Sequence, residues 1–358
     1  MTSTGVSPVI DEDKMNAFLG KVLSDFGASL SSALAYIGTK HGLYAALADS
    51  DGMTSSELAA KTDTNERYIR EWLLNQAAGD YIHYDPTAGK YSLLPEQSVA
   101  LTDESSPFYV GGGFYLLKAM AKAQPVIFDA FKTGNGMHWR DHDPELFLGT
   151  EQFFRPGYKA FLVSDWIPSL TGIDEKLKAG AKVADVGCGH GASAIIIAQA
   201  YPNSTVYGYD NHPESVETAR RRADDAGVSD RVKFEIASAT DYPNEQFDMI
   251  AFFDCLHDMG DPAGAAKHAF ECLDPDGSLM LVEPMAGNTI EENFNPYGRT
   301  ASAASVLCCT PNAIAQGGAG IGTVATEEVL RKEVTSGGFK DFRRTAETPF
   351  NRVFEARR

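Results

Sequence analysis

The sequence predicts an α/β protein in which a doubly wound parallel sheet follows a smaller helical domain. Three observations carry that expectation. From about residue 181 onward, short apolar runs alternate with amphipathic stretches, as when buried strands alternate with helices. Before residue 105 the apolar residues instead recur at helical spacing and end in a hairpin signal. The 358 residues also exceed the ~100–200 usual for one domain, so a second unit is expected.

In the first part, Phe18, Val22, Phe26, Leu30, Leu34 and Ile37 predict one or two amphipathic helices from Asp13 to about Leu47. Thr54-Ser55-Ser56-Glu57 then opens a short helix, with Thr54 as N-cap and Glu57 at capping-box distance. A further helix is expected from about Asn65 to Asn75. The runs Tyr81–Tyr84 and Lys90–Leu93, around Asp85-Pro86 and Gly89, predict a hairpin. Helix, short helix, helix, hairpin is the order of a winged-helix unit. Such a unit suggests DNA, but residues 1 to 100 hold 7 Lys and Arg against 13 Asp and Glu, and the whole chain has a formal net charge of -18. A recognition helix without a basic surround offers little to phosphates. A structural or dimerising role is therefore expected, with a homodimer and no nucleic-acid partner.

Residues 106 to 172 are rich in aromatic residues and glycine, from Phe108 and Tyr109 through Trp139, Phe147, Phe153, Phe154 and Tyr158 to Trp166. They predict a helical connector, which either packs the domains together or closes over an apolar small molecule. His138 and His142 stand four residues apart, a spacing that suits zinc on one helix face. No third ligand is evident and Pro144 follows, so no metal is expected. The five cysteines are odd in number and lack Cys-x-x-Cys spacing, which suggests neither a disulfide framework nor a zinc knuckle. The adjacent Cys308 and Cys309 read as buried packing. Acids stand where a signal peptide would carry bases, and no uncharged stretch is long enough to span a bilayer, so a soluble, cytoplasmic protein is expected.

The strongest chemical signal lies in residues 173 to 358. Val183-Ala184-Asp185-Val186 is a buried strand that runs into Gly187-Cys188-Gly189-His190-Gly191 and then a helix. Glycines there let the chain turn tightly and let a ligand approach amides at a helix N-terminus. The next strand ends at Asp210, whose carboxylate is placed to accept the hydroxyls of a ribose. Dinucleotide sites usually show G-x-G-x-x-G; here the spacing is G-x-G-x-G, which weakens an NAD-dependent reductase without removing it.

This pattern resembles the first motif of the class I S-adenosylmethionine-dependent methyltransferases, which implies a Rossmann-like sheet and S-adenosylmethionine as cofactor. The resemblance places Asp185, Gly187, Gly189 and Gly191 at the methionyl portion and Asp210, with Asn211 beside it, at the ribose. Ser238 and Ala239 fall at the adenine, with Ser238 where the family often has Asp. Phe253 and Asp254 open the loop after the fourth strand, near the transferred methyl. Within the class, Leu256-His257-Asp258 is similar to the catalytic segment of caffeate-type and hydroxyindole-type small-molecule O-methyltransferases. These also carry an N-terminal winged-helix dimerisation domain; their Trp after His-Asp is Met259 here.

The resemblance makes His257 a general base. An imidazole within hydrogen-bond reach makes a hydroxyl acceptor a better nucleophile, whereas a carboxylate or thiolate acceptor needs no base. Asp258 is expected to orient the ring or cap a helix. Glu283, at the same sheet edge, contacts substrate or is structural. Residues 287 to 322 form an insertion suited to shaping an acceptor pocket, with Arg299 a partner for an acidic substrate or simply solvated. The boundaries expected are 1–105, 106–172 and 173–358. The expected reaction is methyl transfer to a small molecule, most readily on oxygen. The alternatives are an N- or S-methyltransferase of a small metabolite, and a winged-helix transcription regulator with a methyltransferase-like sensor domain.

Overall fold

The computed structural model describes residues 10–358. The chain forms two compact units, the first ending at Asp103 and the second running from Glu104 to Arg358.

The first unit comprises α1 (Glu12–Lys40), α2 (Leu43–Ala48), α3 (Ser55–Lys61), α4 (Glu66–Ala78), the antiparallel pair β1 (His83–Asp85) and β2 (Lys90–Ser92), and α5 (Pro95–Thr102). The capping box forms: Thr54 accepts from the Glu57 amide, and Glu57 accepts from the Thr54 amide. Residue 38 has to be small. A Cβ added at Gly38 would stand 2.5 Å from the Trp72 ring, and Trp72 Nε1 donates to the Leu34 carbonyl at 2.9 Å, which holds α4 close against α1. The apolar face of α1 is buried at Ala35, but Phe18 (61% exposed), Leu23 (71%), Phe26 (62%) and Leu30 (72%) face outward.

The second unit starts with α6 (Gly112–Thr133) and α7 (Glu145–Phe161), followed by a π-helical turn at Leu162–Trp166 and α8 (Ile173–Ala179). His138 and His142 flank the 3-10 turn Trp139–Asp141, so they share no α-helical face, and the spacing that suggested zinc does not produce that geometry. The sheet is then built from β3 (Lys182–Val186), α9 (Ala192–Ala200), β4 (Thr205–Asp210), α10 (Pro213–Asp225), β5 (Val232–Ile236), β6 (Phe247–Phe253), α11 (Pro262–Cys272) and β7 (Leu273–Pro284). The insertion folds as α12 (Pro296–Ala304), a π-helical turn at Ser305–Cys309 and α13 (Thr310–Ala315). The chain closes with α14 (Glu327–Ser336), β8 (Asp341–Glu347) and β9 (Asn351–Arg357).

The strand order is β5-β4-β3-β6-β7-β9-β8, with the first five parallel and β9 antiparallel to both neighbours. Both faces are covered, which explains the continuous apolar runs in the sequence. Along β6, Met249, Ala251 and Phe253 pack with Leu177, Ile197 and Val216 of α8 to α10. The alternate residues Ile250 and Phe252 pack with Ala265, Ala269, Leu330 and Val334 of α11 and α14. The parallel pairing brings the carboxyl ends of β3, β4 and β6 to one edge, where the chain reverses its strand order and a crevice forms.

Candidate active site

Strand β3 runs directly into the glycine loop, and all three glycines are left-handed, with φ of 78° at Gly187, 51° at Gly189 and 78° at Gly191. They do different work. A Cβ at Gly191 would stand 2.6 Å from the Phe234 ring, and one at Gly187 would stand 2.8 Å from Cys255 Sγ. A Cβ at Gly189 would meet nothing within 4 Å. The outer two glycines therefore serve packing, and the middle one leaves an open cradle.

The loop is tied to the end of β4. The amides of Gly187 and Cys188 donate to the Tyr209 carbonyl at 2.7 and 3.1 Å, and the Gly189 amide donates to Asp210 Oδ2 at 2.9 Å. Asp210 Oδ1 accepts from the His212 amide at 2.8 Å. Burial nevertheless pushes the Asp210 pKa up. The carboxylate is thus fixed at the rim of a cleft of about 330 Å³.

Gly187, Gly189, Asp210, Asn211, Ser238, Ala239, Phe253, Asp254 and Asp258 all line this cleft. Asp185, Gly191, His257 and Glu283 lie behind the wall. Asp185 is fully buried and accepts from Ser193 Oγ at 2.5 Å, which ties β3 to the first turn of α9; burial raises its pKa to about 7. Asp254 is left-handed at φ 51°, a strained conformation for a non-glycine residue. It is held there by Tyr158, whose hydroxyl donates to Oδ2 at 2.9 Å, and by Asn351 Nδ2, which donates to Oδ1 at 2.7 Å. Burial pushes its pKa to about 8.

His257 sits on the 3-10 turn Leu256–Asp258 and is 3% exposed. Its Nδ1 lies 2.6 Å from Glu283 Oε2, and its amide donates to Glu283 Oε1 at 3.3 Å. Burial disfavours the charged ring, but the Glu283 carboxylate and the neighbouring Cys309 outweigh it and hold the His257 pKa well above the ordinary value. A donor atom of His257, one of Asp258 and the Cys309 sulfur lie within 4.8 Å of one another. Cys308 is packed and 2% exposed, as expected of the pair. Cys309 instead reaches the site from the π turn, and a hydrogen bond with Cys308 together with the nearby His257 holds its thiol well below the usual range. Burial pushes the Asp258 carboxyl well up.

Several lining residues carry no motif. Trp139, Phe147 and Phe154 from the aromatic stretch also line the cleft, and the Phe147 ring lies 4.3 Å from that of His212. Glu151 lines it as well and pairs with Arg155 Nε at 3.0 Å and Arg222 Nη1 at 2.8 Å. An acid inside an aromatic helix is the sequence signal for it. Asn312 accepts from the Trp139 amide at 2.9 Å and donates to the Asp258 carbonyl at 3.0 Å, which clamps the connector and the insertion onto the His257 turn. Nothing local in the sequence marks that role. Arg299 is exposed on α12 and off the cleft wall.

The fold has the architecture of the S-adenosylmethionine-dependent methyltransferases, and comparison with known proteins finds the same likeness. Residues 177–329 match the methyltransferase domain family, and residues 28–103 match the Rv2258c-like winged HTH domain. The chain thus joins a winged helix-turn-helix domain to a methyltransferase domain. It is 39% identical over 107 residues to the 27-O-demethylrifamycin SV methyltransferase of Amycolatopsis mediterranei, a match covering 29% of this chain and 39% of that protein. A match to methyltransferase GfsG of Streptomyces halstedii is 31% identical over 118 residues and covers 32% of this chain and 42% of that protein. The chain spans less than half the length of both. Human N-acetylserotonin methyltransferase, solved in complex with S-adenosylmethionine, superposes with a TM-score of 0.69 at 17% identity, covering 100% of this chain and 99% of its own. The mitomycin 7-O-methyltransferase superposes with a TM-score of 0.72 at 16% identity, covering 97% and 100%. At such identities the likeness is one of fold.

Proposed function

We propose that the protein methylates a hydroxyl group on a small apolar or aromatic molecule, with S-adenosylmethionine as donor and His257 as general base. The observation that carries this reading is the cleft itself, whose wall combines the Gly189 cradle and Asp210 with the aromatic rings of Trp139, Phe147 and Phe154. The cradle fits the donor because a side chain at residue 189 would fill it, and because Asp210 offers a fixed carboxylate beside it. When bound, S-adenosylmethionine supplies an electrophilic methyl group and a neutral leaving group.

The chain's own residues then do three things. The Gly187–Gly191 loop, Asp210, Asn211, Ser238 and Ala239 bind and orient the donor, while Asp185 acts from behind by bracing the loop. The aromatic wall excludes water and sets the acceptor against the donor, which supplies much of the barrier reduction in a displacement of this kind. Glu283 fixes the His257 tautomer by accepting from Nδ1, leaving Nε2 to take the acceptor's proton past Asp258. The exposed apolar residues of α1 support a homodimer through the first unit, and the acidic balance of that unit argues against duplex binding.

The test is incubation with methyl-labelled S-adenosylmethionine and matched hydroxyl, amine and thiol acceptors on one aromatic scaffold. O-methyl product that disappears in His257→Ala supports the reading. Product on nitrogen or sulfur that survives in that variant overturns the base and the acceptor class together.

A further inference from the structure

The group next to the free side of His257 is a thiol, and its chemistry goes beyond proton transfer. We propose that His257, Asp258 and Cys309 form a binding site for a zinc-class divalent cation. Their donor atoms lie within 4.8 Å of one another, on two segments that Asn312 clamps together. Tetrahedral zinc sets its donors at ~2.0–2.3 Å, hence roughly 3.5 Å apart, so side-chain closure of about 1 Å completes three corners.

The outer contacts suit a metal site. Glu283 holds His257 Nδ1 at 2.6 Å, and a carboxylate behind a ligating histidine fixes the ring so that Nε2 presents its lone pair to the metal. Cys309 sits at the end of a π-helical turn, a local insertion that shifts side-chain direction and is frequent at functional sites. Thiolate with imidazole and carboxylate selects zinc or cobalt over magnesium or calcium, which prefer all-oxygen shells. Asp258 lines the cleft, so the fourth corner opens toward it.

Binding forms metal bonds to Cys309 sulfur, His257 nitrogen and an Asp258 oxygen. Any proton that these three donors carry leaves to solvent as the metal bonds form, so affinity rises with pH. The site would also hold the lone pair that accepts the substrate proton. On the proposed reading of His257 as base, an occupied site is therefore an inhibited enzyme.

The experiment uses the full metal-free chain titrated with Co²⁺ and then displaced with Zn²⁺. Expected are one equivalent bound, a thiolate-to-cobalt charge-transfer band, its loss in Cys309→Ser and its retention in Cys308→Ser. The absence of a thiolate band, or a band that survives in Cys309→Ser, overturns the site. Should Cys309→Ser fail to fold, mass mapping of iodoacetamide labelling on the unaltered chain serves instead: zinc protects Cys309 if the site exists, and equal labelling with and without zinc contradicts it. Methyl transfer is measured separately. Metal binding with transfer unimpaired upholds the site and removes His257 as base, whereas transfer lost in His257→Ala with no cobalt band upholds the base and removes the site.

Discussion

Glu283 Oε2 lies 2.6 Å from His257 Nδ1, and both side chains are buried. The carboxylate comes from the end of β7, where Arg352 stands opposite on β9. Replacing the base in His257→Ala is expected to lower the rate of hydroxyl methylation roughly a hundredfold to ten-thousandfold, with donor affinity unchanged by calorimetry. Because Glu283 raises the pKa of His257, the rate should climb with pH through an apparent pKa above 6.5. Glu283→Gln keeps the shape and removes the charge. Its pH profile should shift toward lower pH while kcat falls roughly tenfold to a hundredfold; an unshifted profile would separate Glu283 from the base.

Stability should fall as pH rises. Burial raises the pKa of Asp185 to about 7 and of Asp254 to about 8, so the native chain holds protons that the unfolded chain releases near pH 3.9. His257, also raised, holds its proton above the unfolded value of about 6.5. Where the native state binds more protons than the unfolded state, raising the pH favours unfolding. The Tm of the free protein, followed by scanning fluorimetry, is expected to drop steadily between about pH 5 and 8. A Tm that rises over that window would mean that these carboxyls are ionised in the folded chain.

The glycine loop gives a prediction in which two neighbouring substitutions behave oppositely. Gly191→Ala must adopt a left-handed φ and push against Phe234, so it should cost roughly 2–3 kcal/mol of stability. Gly189→Ala has room for its methyl and should cost only about 1 kcal/mol, while filling the donor cradle and abolishing S-adenosylhomocysteine binding. Chemical denaturation and calorimetry on the pair check both halves.

If α1 mediates self-association, its exposed Leu23 and Phe26 are the residues to charge. An exposed apolar row of this kind marks an interaction surface. Leu23→Glu combined with Phe26→Glu is expected to turn a dimer into a monomer by light scattering without lowering Tm. A parent protein already monomeric at high concentration would remove the dimer.

Much of the fold was legible because parallel strands buried on both faces read as apolar runs, and because Thr54, Asp210 and the three glycines act through local geometry. The hairpin around Gly89 also announces itself within a few residues. Other contributors are brought in by distant packing: Asn312 and Cys309 come from the insertion, Asn351 from the last strand, and Glu151 from an aromatic helix. No periodicity or spacing encodes a clamp such as Asn312, whose two hydrogen bonds reach Trp139, 173 positions away, and residue 258, 54 positions away. The separation of duties among the glycines was equally hidden, because it depends on where Phe234 and Cys255 stand in space.

The most direct test is isothermal calorimetry of the full chain with S-adenosylhomocysteine, repeated on Asp210→Ala. The account predicts one saturable site in the parent protein and an affinity lower by roughly tenfold to a hundredfold in the variant, as expected when a charged hydrogen bond worth ~1.5–3 kcal/mol is lost. Absence of binding to the parent protein, or equal affinity in both, would contradict it.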